Sequence, residues 1–168
     1  GFGISSGAGA LVSNAIGAGD EKMAKRYHAQ ALTFAFLSSI VITAIVYLLL
    51  PRIFRLFGAE GEILRSALRY SRILVAGSVF FVLNYTLNAG LTARGDTKSF
   101  RNVLIVGFLL NIGLDPLFLY GWQPSGTTVI PAMYESGIAL ATILIQAASF
   151  LYLIRRVRKS GILSGVRM

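Results

Sequence analysis

The 168-residue sequence contains no cysteine and only one histidine, His28. The absence of cysteine excludes disulfides and thiolate metal centres. A lone histidine argues against a histidine-based metal site, and no serine, histidine and acid lie close enough for a catalytic triad. The glycine-rich start, GFGISSGAGA, matches neither a Walker loop nor a dinucleotide-binding fingerprint. We therefore predict that the protein is not an enzyme and holds no cofactor.

Charged side chains are also scarce, at 14% of the residues, whereas a soluble domain carries about 25%. Hydrophobic residues make up 55%, and the mean hydropathy is +0.68. The net charge is +9, because 16 lysines and arginines outnumber 7 acidic residues. These basic residues flank long apolar stretches and do not form one soluble surface, which argues against nucleic-acid binding. The pattern is typical of an all-α integral membrane protein with several spans.

Four apolar stretches are long enough to cross a bilayer, which requires roughly 20 residues. They cover residues 31–50, 73–93, 102–122 and 137–154. Residues 1–19 are small and uncharged, and we interpret them as the end of a further helix. Residues 155–168 are predicted to form a basic cytoplasmic tail or a linker. Because the chain has no initiator methionine and opens inside an apparent helix, we expect a fragment of a longer protein.

Lysine and arginine are unequally divided between the two ends of these spans, with eleven at one end and five at the other. The richer end is predicted to be cytoplasmic. Two connections at that end share a Gly-Asp pair, at 19–20 and 95–96, in which glycine ends one helix and aspartate caps the next. His28 is placed in the first of these connections. At the outer end, residues 60–72 are predicted to form an interfacial helix with three arginines along one face, Arg65, Arg69 and Arg72.

One span carries an amide, a carboxylate and a proline in its interior: Asn111, Asp115 and Pro116. A carboxylate at mid-bilayer costs about 2.5–3.5 kcal/mol, so it persists where it faces other polar groups or water. Asn111 and Asp115 share one helix face. Pro116 has no N–H and therefore leaves the carbonyl of Ile112 available as a further acceptor. Oxygen ligands of these kinds suit a hard cation, and the alternative is a proton carried by Asp115.

Two other spans also carry pairs of polar side chains spaced four residues apart. One pair is Asn84 and Asn88, and the other is Thr142 and Gln146. At a rise of about 1.5 Å per residue, most of these side chains reach depths that overlap with Asn111 and Asp115, while Asn88 lies lower. Amides and hydroxyls also hold membrane helices together through hydrogen bonds. For Asn84 and Gln146 we keep both interpretations open, a polar cavity or simple helix packing.

Three segments of the sequence resemble one transporter family. The segments GFGISSGAGALVSNAIGAGDEKMAKR, NAGLTARGDTKSFRNVLIVGFLLNIGLDPLFLYG and SGIALATILIQ are similar to the N-terminal lobe of multidrug and toxic compound extrusion (MATE) transporters. The resemblance runs from helix 2 to helix 6 of that lobe. The Asn-x-x-x-Asp-Pro motif is similar to the prokaryotic branch that carries an aspartate on helix 5.

The resemblance implies a transporter of twelve helices in two six-helix lobes, with this chain forming part of one lobe. It also implies a binding site for Na⁺ or H⁺ as the coupling ion, built by Asn88, Asn111, Asp115 and Thr142 together with an aspartate on helix 1. From the residues themselves we expect Pro116 to act as the hinge, because it removes one backbone hydrogen bond from its helix. Helix 1 and the second lobe are expected either in the rest of the same protein or in a partner subunit.

The function implied by the resemblance is cation-coupled antiport that exports organic cationic or amphiphilic compounds across the cell membrane. One alternative is a flippase of related architecture for lipid-linked oligosaccharides. The cavities of flippases usually carry arginine or lysine for the pyrophosphate, and no basic residue lies inside the four predicted spans. A second alternative, a membrane scaffold that transports nothing, leaves Asp115 unexplained.

Overall fold

The computed structural model describes residues 2–123 and 128–162, and these ranges are dominated by six α-helices. The helices are α1 (Phe2–Gly17), α2 (Glu21–Leu56), α3 (Gly61–Ala76), α4 (Ser78–Ala93), α5 (Lys98–Tyr120) and α6 (Glu135–Lys159). An isolated antiparallel bridge joins Trp122 to Ile130. When α3 and α4 are taken as one segment, four helices are long and apolar enough to cross a membrane. The prediction of an all-α, multi-pass membrane protein is confirmed.

The Gly-Asp connections end and start helices as predicted. Gly19 adopts a φ of +75° after α1, and the carboxylate of Asp20 accepts a hydrogen bond of 2.8 Å from the backbone N–H of Met23 at the start of α2. Gly95 has a φ of +82°, and Asp96 accepts a hydrogen bond of 3.0 Å from the N–H of Ser99 in the first turn of α5. A positive φ is accessible to glycine without strain. Each aspartate satisfies an N–H that has no partner within its helix.

The break between α3 and α4 lies at Gly77, and not at the boundary between residues 72 and 73 that the sequence suggested. Helices α3 and α4 are separated only by Gly77, whose φ of −85° and ψ of −1° remain in the right-handed region. A Cβ at Gly77 would lie 2.1 Å from Cδ1 of Ile143 in α6, so this position allows close helix contact. The combined segment would rise by roughly 50 Å, whereas the hydrocarbon core of a bilayer is about 30 Å thick. Its outer end therefore extends beyond the hydrocarbon.

Helix α4 lies at the centre of the bundle and contacts α1, α2 and α6. The buried core is concentrated near the end that carries the Gly-Asp connections, where Val12, Leu87, Leu91 and Leu153 pack together. Helix α5 packs mainly on α6, with Gly137 directly against the backbone of Phe118, and it makes little contact with α4. This arrangement leaves space between α4 and α5 inside the bundle.

His28 is not in a connecting loop, as the sequence suggested, but within the second turn of α2. The helix starts at Glu21, and the imidazole is fully buried against Gly90 of α4. Neither ring nitrogen has a hydrogen-bond partner within the described ranges. The loop prediction failed because a cluster of charged residues, 20–26, was interpreted as a connection although it forms the first turns of a long helix.

Candidate intramembrane cation site

Asn111 and Asp115 lie one helical turn apart in α5, and the helix continues through Pro116 to Tyr120. Proline has no N–H to donate to the carbonyl of Ile112, so one backbone acceptor near Asp115 has no partner of the usual kind. The proline side is exposed, whereas Asn111 and Asp115 are partly buried. The amide and the carboxylate thus lie on the part of α5 that turns toward the bundle.

The carboxylate of Asp115 has no positively charged partner in the described part of the chain. The ion pairs found there are Arg65–Glu62, Arg94–Glu21 and Arg156–Asp96. One oxygen of Asp115 and the side-chain oxygen of Asn111 are buried, and no group within the described ranges donates a hydrogen bond to either. Buried acceptors without partners are costly, so both oxygens favour a bound cation, and the carboxylate of Asp115 can alternatively bind a proton. The two residues therefore fit an ion site chemically.

A cavity of about 240 Å³ lies between α4, α5 and α6. Asn84, Asn111 and Gln146 contribute amide groups to its wall, and the remainder is lined by aromatic residues such as Phe81 and Tyr85 together with aliphatic and small residues. No lysine or arginine lines this cavity. Three predicted polar residues from three different helices therefore meet at one place.

Asn84 and Gln146 are directly bonded to each other. The amide nitrogen of Asn84 donates to the side-chain oxygen of Gln146 at 2.8 Å and to its backbone carbonyl at 3.0 Å. The side-chain oxygen of Asn84 is buried and has no partner in the described ranges. One end of the Asn84 amide therefore joins two helices, while the other end remains an available acceptor.

The other two predicted ligands, Asn88 and Thr142, do not line this cavity. The side-chain oxygen of Asn88 accepts a hydrogen bond of 3.2 Å from Thr92, one turn further along α4. The hydroxyl of Thr142 donates 3.1 Å back to the carbonyl of Ile138 within α6. Asp115 lies one turn from the cavity-lining Asn111 and is also absent from the wall. Of the four residues predicted to bind the cation, only Asn111 lines the cavity. Asn88, Asp115 and Thr142 do not line it.

A polar network at the Gly-Asp end of the bundle was not predicted from the sequence. Arg156 of α6 donates to the Ser99 hydroxyl and to the Asp96 carboxylate, both at 2.9 Å. The hydrogen bond from the Ser99 hydroxyl, with help from the Arg156 charge, lowers the pKa of Asp96 from 3.8 to about 2. Arg94 pairs with Glu21 and donates 3.2 Å to the carbonyl of Ser160. The spacing of Asp96 and Ser99, typical of a helix cap, was the available signal.

The segment predicted to be a basic tail or a linker, residues 155–168, begins as a continuation of α6. Helix α6 continues to Lys159, five residues beyond the predicted end of the span. Arg156 belongs to this helical extension and binds the start of α5 there. Residues 163–168 of the predicted tail or linker lie outside the described residues.

Comparison with known proteins gives a consistent result. The profile of the MatE family matches residues 1–117. The "Probable multidrug resistance protein YoeA" of Bacillus subtilis is 32% identical over 158 residues, which is 94% of this chain and 33% of that protein. A Shewanella oneidensis protein named "FAD transporter" is 28% identical over 84% of this chain and 30% of its own length.

A solved structure also superimposes on this chain. It is described as the inward-facing conformation of a multidrug resistance MATE family transporter of the MOP superfamily. The TM-score is 0.81 at 28% identity, over 92% of this chain and 33% of that one. The chain therefore spans about a third of the length of the proteins that it matches.

Proposed function

This chain belongs to the MatE family, and from that premise we propose that it is part of a cation-coupled antiporter that exports organic compounds across the cell membrane. Its similarity to a protein named for multidrug resistance supports an efflux role. The family membership and the four apolar helices make it a multi-pass protein of the cell membrane. We propose Na⁺ or H⁺ as the coupling ion and an organic cationic or amphiphilic compound as the cargo.

The observation that carries the proposal is the buried, unpaired oxygen of Asp115. Within the described ranges no lysine or arginine neutralises this carboxylate, and Asn111 offers a second buried acceptor one turn away. A membrane helix does not retain such a pair for stability alone, because unsatisfied acceptors in hydrocarbon are costly. Capture of a cation or proton removes that cost.

Ion binding drives transport through a change of charge at Asp115. A cation that binds one conformation more tightly than the other shifts the equilibrium between them. Asn111 is the nearest further ligand, and Asn88 and Thr142 join the site after leaving their present partners, Thr92 and Ile138. Pro116 locates the bend, because α5 lacks one backbone hydrogen bond at that point.

The wall of the cavity favours some cargoes over others. Its amide and aromatic groups suit cationic or amphiphilic organic molecules, because aromatic faces attract cations. A pyrophosphate-bearing cargo such as a lipid-linked oligosaccharide needs positive charge, and no basic side chain lines this cavity. One relative is named an FAD transporter, and FAD also carries a pyrophosphate, so efflux assays of the full-length protein should compare organic cations with FAD.

The proposed transporter requires more helices than this chain supplies. The proteins that it matches are about three times as long. We infer that helix 1 and the second lobe come from the same longer protein, and that substrate passes between the two lobes. Alternating access is a movement of one repeat against another, so one lobe does not perform it alone.

The decisive experiment measures efflux by the full-length protein in proteoliposomes with Asp115→Asn. This variant removes the charge and retains the shape of the side chain. We expect loss of transport driven by a Na⁺ or H⁺ gradient, with folding preserved. The matched control is Asp20→Asn, because asparagine caps a helix as well as aspartate does. Normal ion-driven efflux by Asp115→Asn would refute the proposed coupling site.

A further inference from the structure

One face of the α3–α4 segment changes from cationic to apolar along its length. Positions spaced by four and three residues lie on a common face of a helix. On this segment they are occupied by three arginines followed by two small or aliphatic residues, Arg65, Arg69, Arg72, Ala76 and Val79. Because the segment is longer than the hydrocarbon core, we expect this change near the point where the segment enters the membrane.

Helix α2 completes an apolar groove beside the lower part of this face. The groove has a volume of about 460 Å³ and is lined by Phe36, Ile40 and Tyr47 of α2 and by Ala76 and Val79. From Phe36 to Tyr47 it follows α2 for roughly 16 Å, about half of the ~30 Å hydrocarbon thickness. Its length therefore matches the depth of one lipid leaflet.

The arginines line a second groove on α3, nearer the start of the α3–α4 segment than the first groove. This groove, of about 410 Å³, is lined by the three arginines together with Leu68 and Ile73. The guanidinium of Arg72 lies 5.5 Å from the centre of the Tyr47 ring, and Tyr47 also lines the apolar groove. Arg72 and Tyr47 therefore join the cationic groove to the apolar one.

Two carboxylates offset part of the positive charge in the cationic groove. Glu62 pairs with Arg65 at 2.6 Å, but both side chains are 71% exposed, so the pair is weak. Glu135 at the start of α6 interacts electrostatically with Arg69. Arg72 has no acidic partner in the described part of the chain. The site retains net positive charge at the point where the two grooves meet.

From this geometry we infer that the two adjoining grooves bind one anionic glycerophospholipid. Its phosphate lies between Arg69 and Arg72, and one acyl chain follows the apolar groove between α2 and the α3–α4 segment. Guanidinium groups form strong hydrogen bonds with phosphate oxygens, and basic residues near a membrane surface attract anionic lipids. The inference does not depend on ion coupling at Asp115.

The test is native mass spectrometry of the full-length protein in detergent, titrated with phosphatidylglycerol or with phosphatidylcholine of the same acyl chains. We expect tighter binding of phosphatidylglycerol, weakened about tenfold or more by Arg69→Gln with Arg72→Gln. The matched control, Arg52→Gln with Arg55→Gln, removes two exposed arginines from the same end of the bundle that line neither groove. It should change binding less than about twofold.

A groove-filling variant tests the apolar part of the site separately. Ala76→Phe leaves every arginine in place and should also weaken binding of phosphatidylglycerol, because it occupies the space of the acyl chain. Circular dichroism and thermal unfolding establish that each variant folds. Equal binding of the two lipids, or unchanged binding by the double arginine variant, overturns the inference. Equally tight binding of glycerol phosphate also overturns it, because the ligand is then a soluble anion.

Discussion

The side chain of Asn84 on α4 is bonded twice to Gln146 on α6, through the side-chain oxygen at 2.8 Å and the backbone carbonyl at 3.0 Å. Asn84 is only 3% exposed, and its own oxygen has no donor in the described ranges. The sequence left two interpretations open for these amides, helix packing and cavity lining. In the structure the nitrogen of Asn84 joins the two helices, and Asn84 also contributes to the cavity wall.

This arrangement predicts unequal effects of alanine substitution in the full-length protein. Gln146→Ala removes one of the two acceptors and should cost about 0.6 kcal/mol, which is typical of a side-chain hydrogen bond between membrane helices. Asn84→Ala removes both bonds and should cost about 1–2 kcal/mol. Thermal unfolding in detergent measures both values. The stability of the double variant should lie within a few tenths of a kcal/mol of that of Asn84→Ala. Fully additive losses would show that the bond contributes nothing.

The contact between Gly90 and His28 predicts that position 90 does not tolerate a larger side chain. A Cβ at Gly90 would lie 2.3 Å from Cε1 of the buried imidazole. Gly90→Ala should therefore lower the free energy of unfolding by about 1–3 kcal/mol through overpacking, although alanine favours helix formation. Thermal unfolding of the purified protein measures the loss.

Gly9 in α1 provides the matched control for Gly90. A Cβ at Gly9 would lie 3.6 Å from the Cβ of Ala89, which is an ordinary contact. Gly9→Ala should leave stability unchanged or raise it by up to about 1 kcal/mol. Equal effects of the two substitutions on stability would contradict the close packing of α2 against α4 at His28.

The spans and caps could be predicted because their signals are local. Continuous apolar runs marked α2 and α5, and a glycine followed by aspartate marked the turn before each of them. Asp115 stood out because a carboxylate in an apolar run is costly in any fold. These features depend on short segments and need no knowledge of which helices are neighbours.

The remaining features depend on tertiary contacts that no local pattern contains. The bond from Arg156 to Asp96 joins residues 60 positions apart, so the sequence showed only a basic tail and a turn. Which polar side chains line one cavity also depends on how α4, α5 and α6 are placed, and Asn84 reaches the cavity whereas Asn88, one turn away, does not. The need for glycine at position 90 follows only from the packing of α2 against α4, because His28 fills the space that a side chain there would occupy.

The network at Asp96 predicts a dependence of stability on pH. The pKa of Asp96 is lowered from 3.8 to about 2, first by the hydrogen bond from the Ser99 hydroxyl, at 2.7 Å. The folded state thus favours the ionised carboxylate, and this stabilisation is complete above pH ~4 and is lost as the pH falls toward 2. Asp96→Ala should cost about 1–2 kcal/mol at pH 7. The difference in melting temperature between wild type and variant should shrink below pH 4.

Asp20→Asn serves as the control for this titration, because Asp20 caps α2 and is not part of the Arg156 network. The melting temperature of Asp20→Asn should differ little from that of the wild type at neutral pH, since asparagine and aspartate are similar caps. If the difference in melting temperature between Asp96→Ala and the wild type stayed constant from pH 7 to pH 3, the lowered pKa assigned to Asp96 would be contradicted. Ser99→Ala should raise the pKa of Asp96, because the hydroxyl makes the largest contribution to its lowering.

Pro116 predicts a separation of stability from activity. Pro116→Ala restores an N–H that can bond the carbonyl of Ile112, so α5 should become more stable by up to about 3 kcal/mol. If the bend at this point accompanies transport, efflux by the full-length protein should fall even though the protein is more stable. Pro51 also lies inside a helix, α2, far along the chain from the proposed ion site, and Pro51→Ala should stabilise the protein without reducing efflux. Efflux at the wild-type rate by Pro116→Ala, together with a raised melting temperature, would show that the proline is not a hinge.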